Sequence, residues 1–328
     1  MPSGTGSGVA PSRPRNERCE QCSGLAHVTV LRNVCDPITL ERFEIQVCRD
    51  CGLARTAPQP VHIESYYSQR YYGSRHWITT AYCLWRRIRV VNLTFGEVRA
   101  HAVLDVGCGD GAFLEKARQQ GWRVIGTEIG VGRLSIAGIR VASSLADVDE
   151  RFDCITCWHV LEHLPNPLAS LRAMRSRLTA DGALVLSVPD AGGLQSRLFG
   201  RFWFHRDVPR HLFHFDLRSL RLTLESAGFR VVKVWHHELE YDLFGWIQSA
   251  LNGMLRTPNV LFDALTGHPR RTGYLPIVVS AVFAAVMFPL AFALTVVTTL
   301  LRQGGTLIVS ARPTGSVAGG TEQPIQTL

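Results

Sequence analysis

Residues 102–114 read A-V-L-D-V-G-C-G-D-G-A-F-L. The apolar run Ala102–Val106 predicts a buried strand, and residues 112–120 predict the helix that follows it. Glycines occupy alternate positions of the turn between them, where a backbone without side chains takes tight dihedral angles and approaches a ligand closely. Asp105 falls at the carboxyl end of the strand, the edge at which doubly wound sheets bind their ligands. This stretch therefore predicts a strand–turn–helix unit with a ligand at its turn.

A second strand, W-R-V-I-G-T at 122–127, follows the helix, and Glu128 comes directly after it. In a nucleotide-binding βαβ unit, a carboxylate at this place accepts hydrogen bonds from the hydroxyls of a ribose. The loop sequence G-C-G-D-G lacks the G-x-G-x-x-G spacing of dinucleotide-binding folds. The loop therefore departs from the dinucleotide fingerprint, although the position of the carboxylate is kept.

The motif D-V-G-C-G-D-G resembles the first motif of class I S-adenosylmethionine-dependent methyltransferases. Three later stretches resemble further motifs of that family in the same order: F-D-C-I-T-C-W-H-V-L-E-H-L-P-N-P at 152–167, L-V-L-S-V-P-D at 184–190 and D-V-P-R-H-L-F-H-F at 207–215. The resemblance implies an α/β fold, a Rossmann-like, seven-stranded, doubly wound sheet with its core at 102–237, and S-adenosyl-L-methionine as the cofactor. The cofactor-binding residues that it implies are Asp105, Gly107, Cys108, Gly109, Gly111, Glu128, Trp158 and His159.

Two C-x-x-C pairs lie near the N-terminus, formed by Cys19 with Cys22 and by Cys48 with Cys51. Two such turns let four thiolates converge tetrahedrally on zinc, and the intervening residues hold two plausible strands. The alternative is four unrelated buried cysteines. The pairs resemble the N-terminal zinc-binding module of some bacterial sugar methyltransferases, which implies a zinc-ribbon-like module at 17–57 with structural zinc.

The stretch after the fourth core strand, H-V-L-E-H at 159–163, contains three side chains that can bind a metal or transfer a proton within five residues. Its H-x-x-E-H spacing is a metal-ligand spacing, with His159, Glu162 and His163 on one face if a helical turn begins there. It is similar to the E-x-x-E-H motif of small-RNA 3′-end and ubiquinone-pathway methyltransferases, with histidine at the first position and His211 near the remaining ligand. Three interpretations stay open: a divalent metal at His159, Glu162 and His163, a general base among His159, His163 and His211, or a structural role.

Residues 275–301 contain no charged side chain over 27 positions, enough by length to cross a bilayer once. The sixth and seventh strands, predicted at 229–235 and 306–311, should be neighbours in one sheet, which excludes a single crossing. We expect the stretch to be re-entrant, to lie in the membrane interface or to pair with residues 243–255, and Pro289 predicts a bend between two short helices. A soluble helix pair or an oligomer interface is the alternative.

The remaining segments complete the predicted domain organisation. It comprises disordered tails at 1–16 and 314–328, a helical linker or lid at 58–101, a hydrophobic membrane-associating insertion at 238–303 and the last core strand at 304–313. Four tyrosines of the linker are candidates to cover the cofactor and the substrate: Tyr66, Tyr67, Tyr71 and Tyr72.

The chain carries a formal net charge of +8, and basic residues flank the apolar stretch: Arg256, Arg270, Arg271 and Arg302. These clusters suit an anionic membrane surface, so we expect a cytoplasmic protein at the inner face of the cell membrane. The resemblance implies O-methylation of a small-molecule, sugar or lipid-linked glycan acceptor in cell-envelope or secondary metabolism. A quinone or prenyl-lipid acceptor is the alternative, and the hydrophobic insertion argues against nucleic acid. The oligomeric state is left open.

Overall fold

The structure of the chain, a computed structural model, describes residues 18–67, 77–95, 102–129, 138–267 and 273–315. The predicted tail at 1–16, most of the tail after 313, Tyr71 and Tyr72, and the arginines at 270 and 271 lie outside the described residues.

Within that part of the chain, eleven strands and eight α-helices follow one another. The strands are β1 (His27–Cys35), β2 (Arg42–Cys48), β3 (Ala54–Ala57), β4 (Ala102–Val106), β5 (Arg123–Thr127), β6 (Arg140–Ala142), β7 (Phe152–Trp158), β8 (Leu178–Pro189), β9 (Phe213–His214), β10 (Phe229–Trp235) and β11 (Thr306–Pro313). The helices are α1 (Trp77–Phe95), α2 (Ala112–Gln119), α3 (Pro167–Ser176), α4 (Leu194–Phe199), α5 (Leu217–Ser226), α6 (Leu239–Met254), α7 (Val260–Leu265) and α8 (Tyr274–Leu300).

Seven strands form the central sheet in the order β10-β11-β8-β7-β4-β5-β6. The neighbours from β8 to β6 are parallel, and β11 runs antiparallel to β8 and to β10 on its two sides. Because β10 then runs with the parallel strands, its carboxyl end reaches the same edge of the sheet as those of β4, β5 and β7. The predicted seven-stranded doubly wound fold, with the strand after residue 303 beside the sixth strand, is confirmed.

The core lies on both faces of this sheet. Val103 and Cys154 pack with Phe113 on one face, whereas Leu104 and Ile155 pack in the cluster on the other face. A parallel sheet covered by helices on both sides buries consecutive residues of its strands. This is why every residue of β4 is buried and every one except Asp105 is apolar.

A second, antiparallel sheet joins the N-terminal segment to the core, in the order β1-β2-β3-β9. Its fourth strand, β9, belongs to the core segment and pairs with β3. The buried Arg210 guanidinium makes a second link, with Nη2 at 2.9 Å from Asp36 Oδ1 and 2.6 Å from Asp207 Oδ1. Burial opposes the charge of Arg210, but these two carboxylates raise its pKa above the usual value.

The insertion before β11 folds into α6, α7 and α8. The predicted bend at Pro289 is wrong, because α8 is one helix of 27 residues that contains Pro289. A proline removes one backbone hydrogen bond and crowds the preceding turn. Here Ala284 and Ala291, on either side of the proline, both belong to the apolar cluster with Trp246 of α6, and this packing holds the two halves in one helix.

The other sides of α8 are apolar and exposed, including Val282 at 59% and Val286 at 72% exposure. By length and composition alone, α8 is sufficient to cross a membrane. Its last turn, however, leads within a few residues into β11, which is paired on both sides inside the sheet.

Candidate active site

The turn after β4 has the backbone that the glycine spacing predicts. Gly107, Gly109 and Gly111 have φ values of 70°, 55° and 73°, in the left-handed region that favours glycine. A Cβ atom on Gly107 would lie 2.4 Å from Val160 Cγ2, so this position has no room for a side chain. The N–H groups of Gly107 and Cys108 donate to Thr127 O at 2.8 and 3.0 Å, which fixes the turn against β5.

Glu128 closes this turn from the end of β5. Its Oε2 accepts from the Gly109 N–H at 2.8 Å, and its Oε1 accepts from the Ile129 N–H at 3.0 Å. Each carboxylate oxygen keeps a further lone pair, and the side chain is only partly buried. The carboxylate can therefore accept hydrogen bonds from two neighbouring hydroxyls of a ligand, as a ribose presents them.

Two predicted cofactor residues lie on the neighbouring strands beneath the turn. Asp105 is buried, accepts from Thr156 Oγ1 at 2.6 Å, and has its pKa raised to about 7 by burial. The indole N–H of Trp158 is buried and has no hydrogen-bond partner among the described residues. Because buried donors are nearly always bonded, this orphaned N–H at a strand end fits contact with a bound ligand.

His159 leaves the end of β7 in a strained conformation, with φ at 54°. Its Nε2 lies 2.7 Å from Glu238 Oε2, its ring stacks on Tyr241 with centroids 4.5 Å apart, and its Nδ1 is 3.6 Å from Glu162 Oε1. The expectation that His159, Glu162 and His163 share one helical face is wrong. The turn of 3₁₀ helix begins only at Leu161, because the positive φ at His159 turns the chain before it.

Glu162, His163 and His211, which we call the histidine cluster, come together instead. One ligand atom from each lies within 4.8 Å of the other two. Both carboxylate oxygens of the buried Glu162 have no hydrogen-bond partner among the described residues, and burial raises its pKa to about 8. Burial lowers the pKa of His163 to about 4 and that of His211 to about 3, so both imidazoles are neutral at physiological pH.

The hydrogen bonds of the two histidines define their tautomers. His163 Nδ1 lies 3.0 Å from Arg210 O, and His211 Nδ1 lies 3.0 Å from His205 O. A carbonyl oxygen can only accept, so Nδ1 carries the proton in both rings and Nε2 carries the lone pair. These lone pairs are available to a proton or to a metal ion.

Residues outside the predicted site complete the arrangement. Glu238, which accepts from His159, is also bonded to Arg86 of α1, and Tyr67 Oη lies 2.9 Å from His163 Nδ1. The sequence does not single out Glu238, because the predicted core ends at residue 237. The signal for it was present in the sequence, since H-H-E at 236–238 follows a strand that ends at the ligand edge.

The four predicted zinc ligands converge at the other end of the N-terminal sheet. Cys19 Sγ lies 3.5 Å from Cys51 Sγ, Cys22 Sγ lies 3.5 Å from Cys48 Sγ, and all four sulfurs are within 4.8 Å of one another. Tetrahedral zinc with bonds of about 2.3 Å separates its sulfurs by about 3.8 Å. The set therefore fits a zinc ion with small adjustments. Cys35 lies outside it and contacts Asp36 O.

Residues 76–234 match the family model described as a methyltransferase domain. The matched range contains the glycine turn, Glu128 and the histidine cluster. These residues are a methyltransferase domain, and the enzyme is an S-adenosylmethionine-dependent methyltransferase with the class I fold.

Curated proteins similar to this methyltransferase include the ubiquinone biosynthesis O-methyltransferase of Xanthomonas campestris pv. campestris (strain B100), 29% identical over 164 residues. That alignment covers 41% of this chain and 68% of the relative. The protein of the same name from Stutzerimonas stutzeri (strain A1501) is 31% identical over 99 residues, which are 26% of this chain and 43% of the relative.

Two solved structures are also similar to this methyltransferase. A SAM dependent methyltransferase from Archaeoglobus fulgidus is 21% identical with a TM-score of 0.44, covering 76% of this chain and 96% of that chain. Coclaurine N-methyltransferase, bound to N-methylheliamine and SAH, is 16% identical with a TM-score of 0.42, covering 70% and 72% of the two chains.

Glu128→Ala is expected to weaken S-adenosylmethionine binding by about 1.5–3 kcal/mol for each charged hydrogen bond lost. The exposed Glu115→Ala on α2 is the control, because it also removes a carboxylate but lies outside the turn. Calorimetric titration of both folded variants measures the difference. Equal affinity in the two variants would contradict the assignment of Glu128 to the ribose.

Proposed function

We propose that this enzyme transfers a methyl group to an oxygen of a lipid-linked or other amphiphilic acceptor at the inner face of the cell membrane. The observation that carries the proposal is a pair of neutral imidazoles, the half-buried His163 and the buried His211, whose Nδ1 atoms are held by backbone carbonyl oxygens and whose Nε2 atoms keep a lone pair. A sugar or a lipid-linked glycan is the first candidate acceptor.

When bound, S-adenosylmethionine supplies a methyl group that its positively charged sulfur has already activated. The protein then has two tasks, to position the acceptor oxygen in line and to take its proton. His163 Nε2 and His211 Nε2 are the candidate proton acceptors, because their Nδ1 atoms are held by backbone carbonyls. Glu238 and Tyr241 hold His159 in place, which assigns it a positioning role at the end of β7.

A divalent metal at the histidine cluster is the competing use of the same atoms. It is favoured by the buried Glu162 carboxylate, whose two oxygens have no hydrogen-bond partner in the described part of the chain. One carboxylate and two imidazoles whose other ring N–H is held by a carbonyl make a suitable ligand set. A metal there would polarise the acceptor hydroxyl, and the imidazoles would then be ligands and not bases.

A quinone-type or other prenylated acceptor is the second candidate. It is favoured by the name of the curated relatives, O-methyltransferases of ubiquinone biosynthesis. A lipid-linked glycan and a prenylated quinone both carry a long apolar chain, which agrees with the exposed apolar sides of α8, whereas a free sugar carries none.

His163→Ala is expected to lower turnover roughly 10²–10⁴-fold while S-adenosylmethionine affinity stays unchanged. The test complements a deletion strain with the parent, with His163→Ala or with the exposed control His62→Ala, and compares the masses of its lipids and metabolites. The parent and the control should restore the same methylated compound, and His163→Ala should accumulate the compound without the methyl group.

The same comparison identifies the acceptor class from the compound that changes. Loss of activity on chelation, with recovery on adding divalent ions, would assign the histidine cluster to a metal. Full complementation by His163→Ala would leave the cluster only a structural role.

Membrane attachment through α8 should resist high salt and yield to detergent, because apolar burial is not screened by ions. Val282→Glu with Val286→Glu places charges on the exposed side of α8 and should release the enzyme from lipid vesicles in a flotation assay. The control is Val61→Glu, which adds a charge at an exposed valine outside α8. Reporters placed before Leu243 and after Gln303 should both be cytoplasmic, since β10 and β11 lie in one sheet.

About one zinc ion per chain is expected at Cys19, Cys22, Cys48 and Cys51, and its removal should unfold the N-terminal sheet. Elemental analysis of Cys48→Ser/Cys51→Ser should show the loss of zinc. Cys35→Ser, a thiol outside the cluster, should keep it. Zinc that persists in the double variant would assign the ion to the histidine cluster.

A further inference from the structure

A cavity of about 290 Å³ lies beside residues 201–207, the segment that precedes His211. It is enclosed by the turn between β1 and β2, by residues 201–207 and by the end of α6 with the residues before α7. Four arginines line it: Arg42, Arg201, Arg206 and Arg256. We call this cavity the arginine pocket.

Four arginines and one carboxylate, Asp207, line the arginine pocket, so positive charge predominates in its wall. Asp207 is the one carboxylate among the lining residues, and Arg210 pairs with it at 2.6 Å. None of the four lining arginines makes an ion pair with a carboxylate of the described residues. Four arginines therefore line one cavity without forming an ion pair in the described part of the chain.

Arg206 is the buried member of this set, with 8% of the residue exposed. Its Nη2 donates to Ser196 Oγ at 2.7 Å, its Nε donates to Gly200 O at 3.4 Å, and its guanidinium carbon lies 5.1 Å from the centre of the Trp203 ring. These partners are neutral. Buried charges are as a rule paired with a charge of opposite sign. An anion bound in the pocket would therefore provide the negative charge that the neutral partners of Arg206 do not.

The chemistry of the pocket selects the anion. Guanidinium groups present pairs of N–H donors that match the oxygens of a phosphate, and several of them around one cavity suit a phosphate or diphosphate better than a single carboxylate. The pocket is also adjacent to the reacting groups, because the side chain of Asp207 lines it and lies 3.9 Å from His211 Nε2.

We propose that the arginine pocket binds a phosphate or diphosphate group of the acceptor. That the phosphate belongs to the methyl acceptor rests on the proposed function. That the pocket binds an anion does not. The pocket then selects acceptors that carry a phosphate at a fixed distance from the methylated oxygen. The phosphate belongs either to a lipid headgroup or to a soluble phosphate ester.

The test titrates inorganic diphosphate into the full-length enzyme by calorimetry, with S-adenosylmethionine binding measured in parallel. Arg42→Gln/Arg256→Gln removes two exposed pocket charges and should weaken diphosphate binding about tenfold or more. Arg218→Gln/Arg230→Gln removes two exposed charges elsewhere and should change it less than about twofold at physiological salt. Arg206→Gln should abolish diphosphate binding in a variant that folds. Because Arg42 and Arg256 are exposed, the Arg42→Gln/Arg256→Gln variant tests the pocket even when Arg206→Gln does not fold.

Flotation with phosphatidylcholine vesicles, with and without phosphatidic acid, distinguishes the two sources of phosphate. A lipid headgroup is supported when the parent binds vesicles with phosphatidic acid more strongly than vesicles without it. Diphosphate should then compete with this binding, and the Arg42→Gln/Arg256→Gln variant should lose it. Diphosphate binding without that preference supports a soluble ester. The inference is overturned when the parent binds S-adenosylmethionine but not diphosphate. It is also overturned when the two double variants lose diphosphate affinity equally. A parent that does not bind S-adenosylmethionine instead overturns the proposed function.

Discussion

The site depends on one buried guanidinium. Arg210 lies between Asp36, in the turn after β1, and Asp207, in the segment that lines the arginine pocket. Its backbone carbonyl also accepts from His163 Nδ1. Removing one partner of a buried ion pair leaves an uncompensated charge, so this contact keeps three parts of the chain in one arrangement. The position of the N-terminal sheet and the tautomer of His163 are thereby set by the same residue.

The parts of the site that the sequence could predict are those built by backbone geometry. Alternating glycines after a buried run permit the positive φ values that a tight turn needs, which predicts the turn. A carboxylate at the end of the next parallel strand lies at the same edge of the sheet, which predicts the place of Glu128. The two cysteine pairs were predictable for a similar reason, because each ligand pair sits within one turn. Local patterns of this kind need no knowledge of distant packing.

The parts that escaped prediction depend on contacts between distant segments. The sequence shows His159, Glu162 and His163 close together, but a single positive φ turns His159 toward Glu238 and leaves the other two beside His211. Pro289 suggested a bend because its local effect is unfavourable, and packing on α6 outweighs that effect. In both places tertiary contacts override a local preference.

The pairing of β9 with β3 affects the order in which the chain assembles. β3 is complete early in synthesis, yet its partner strand is supplied only when residues 213 and 214 leave the ribosome. Until then the edge of β3 exposes unpaired backbone groups, the kind of edge at which chains associate wrongly. Thr56 of β3 also donates to His211 O at 2.6 Å, so the contacts that cover this edge also hold His211 of the histidine cluster. The contacts that complete the N-terminal sheet therefore also position part of the candidate active site.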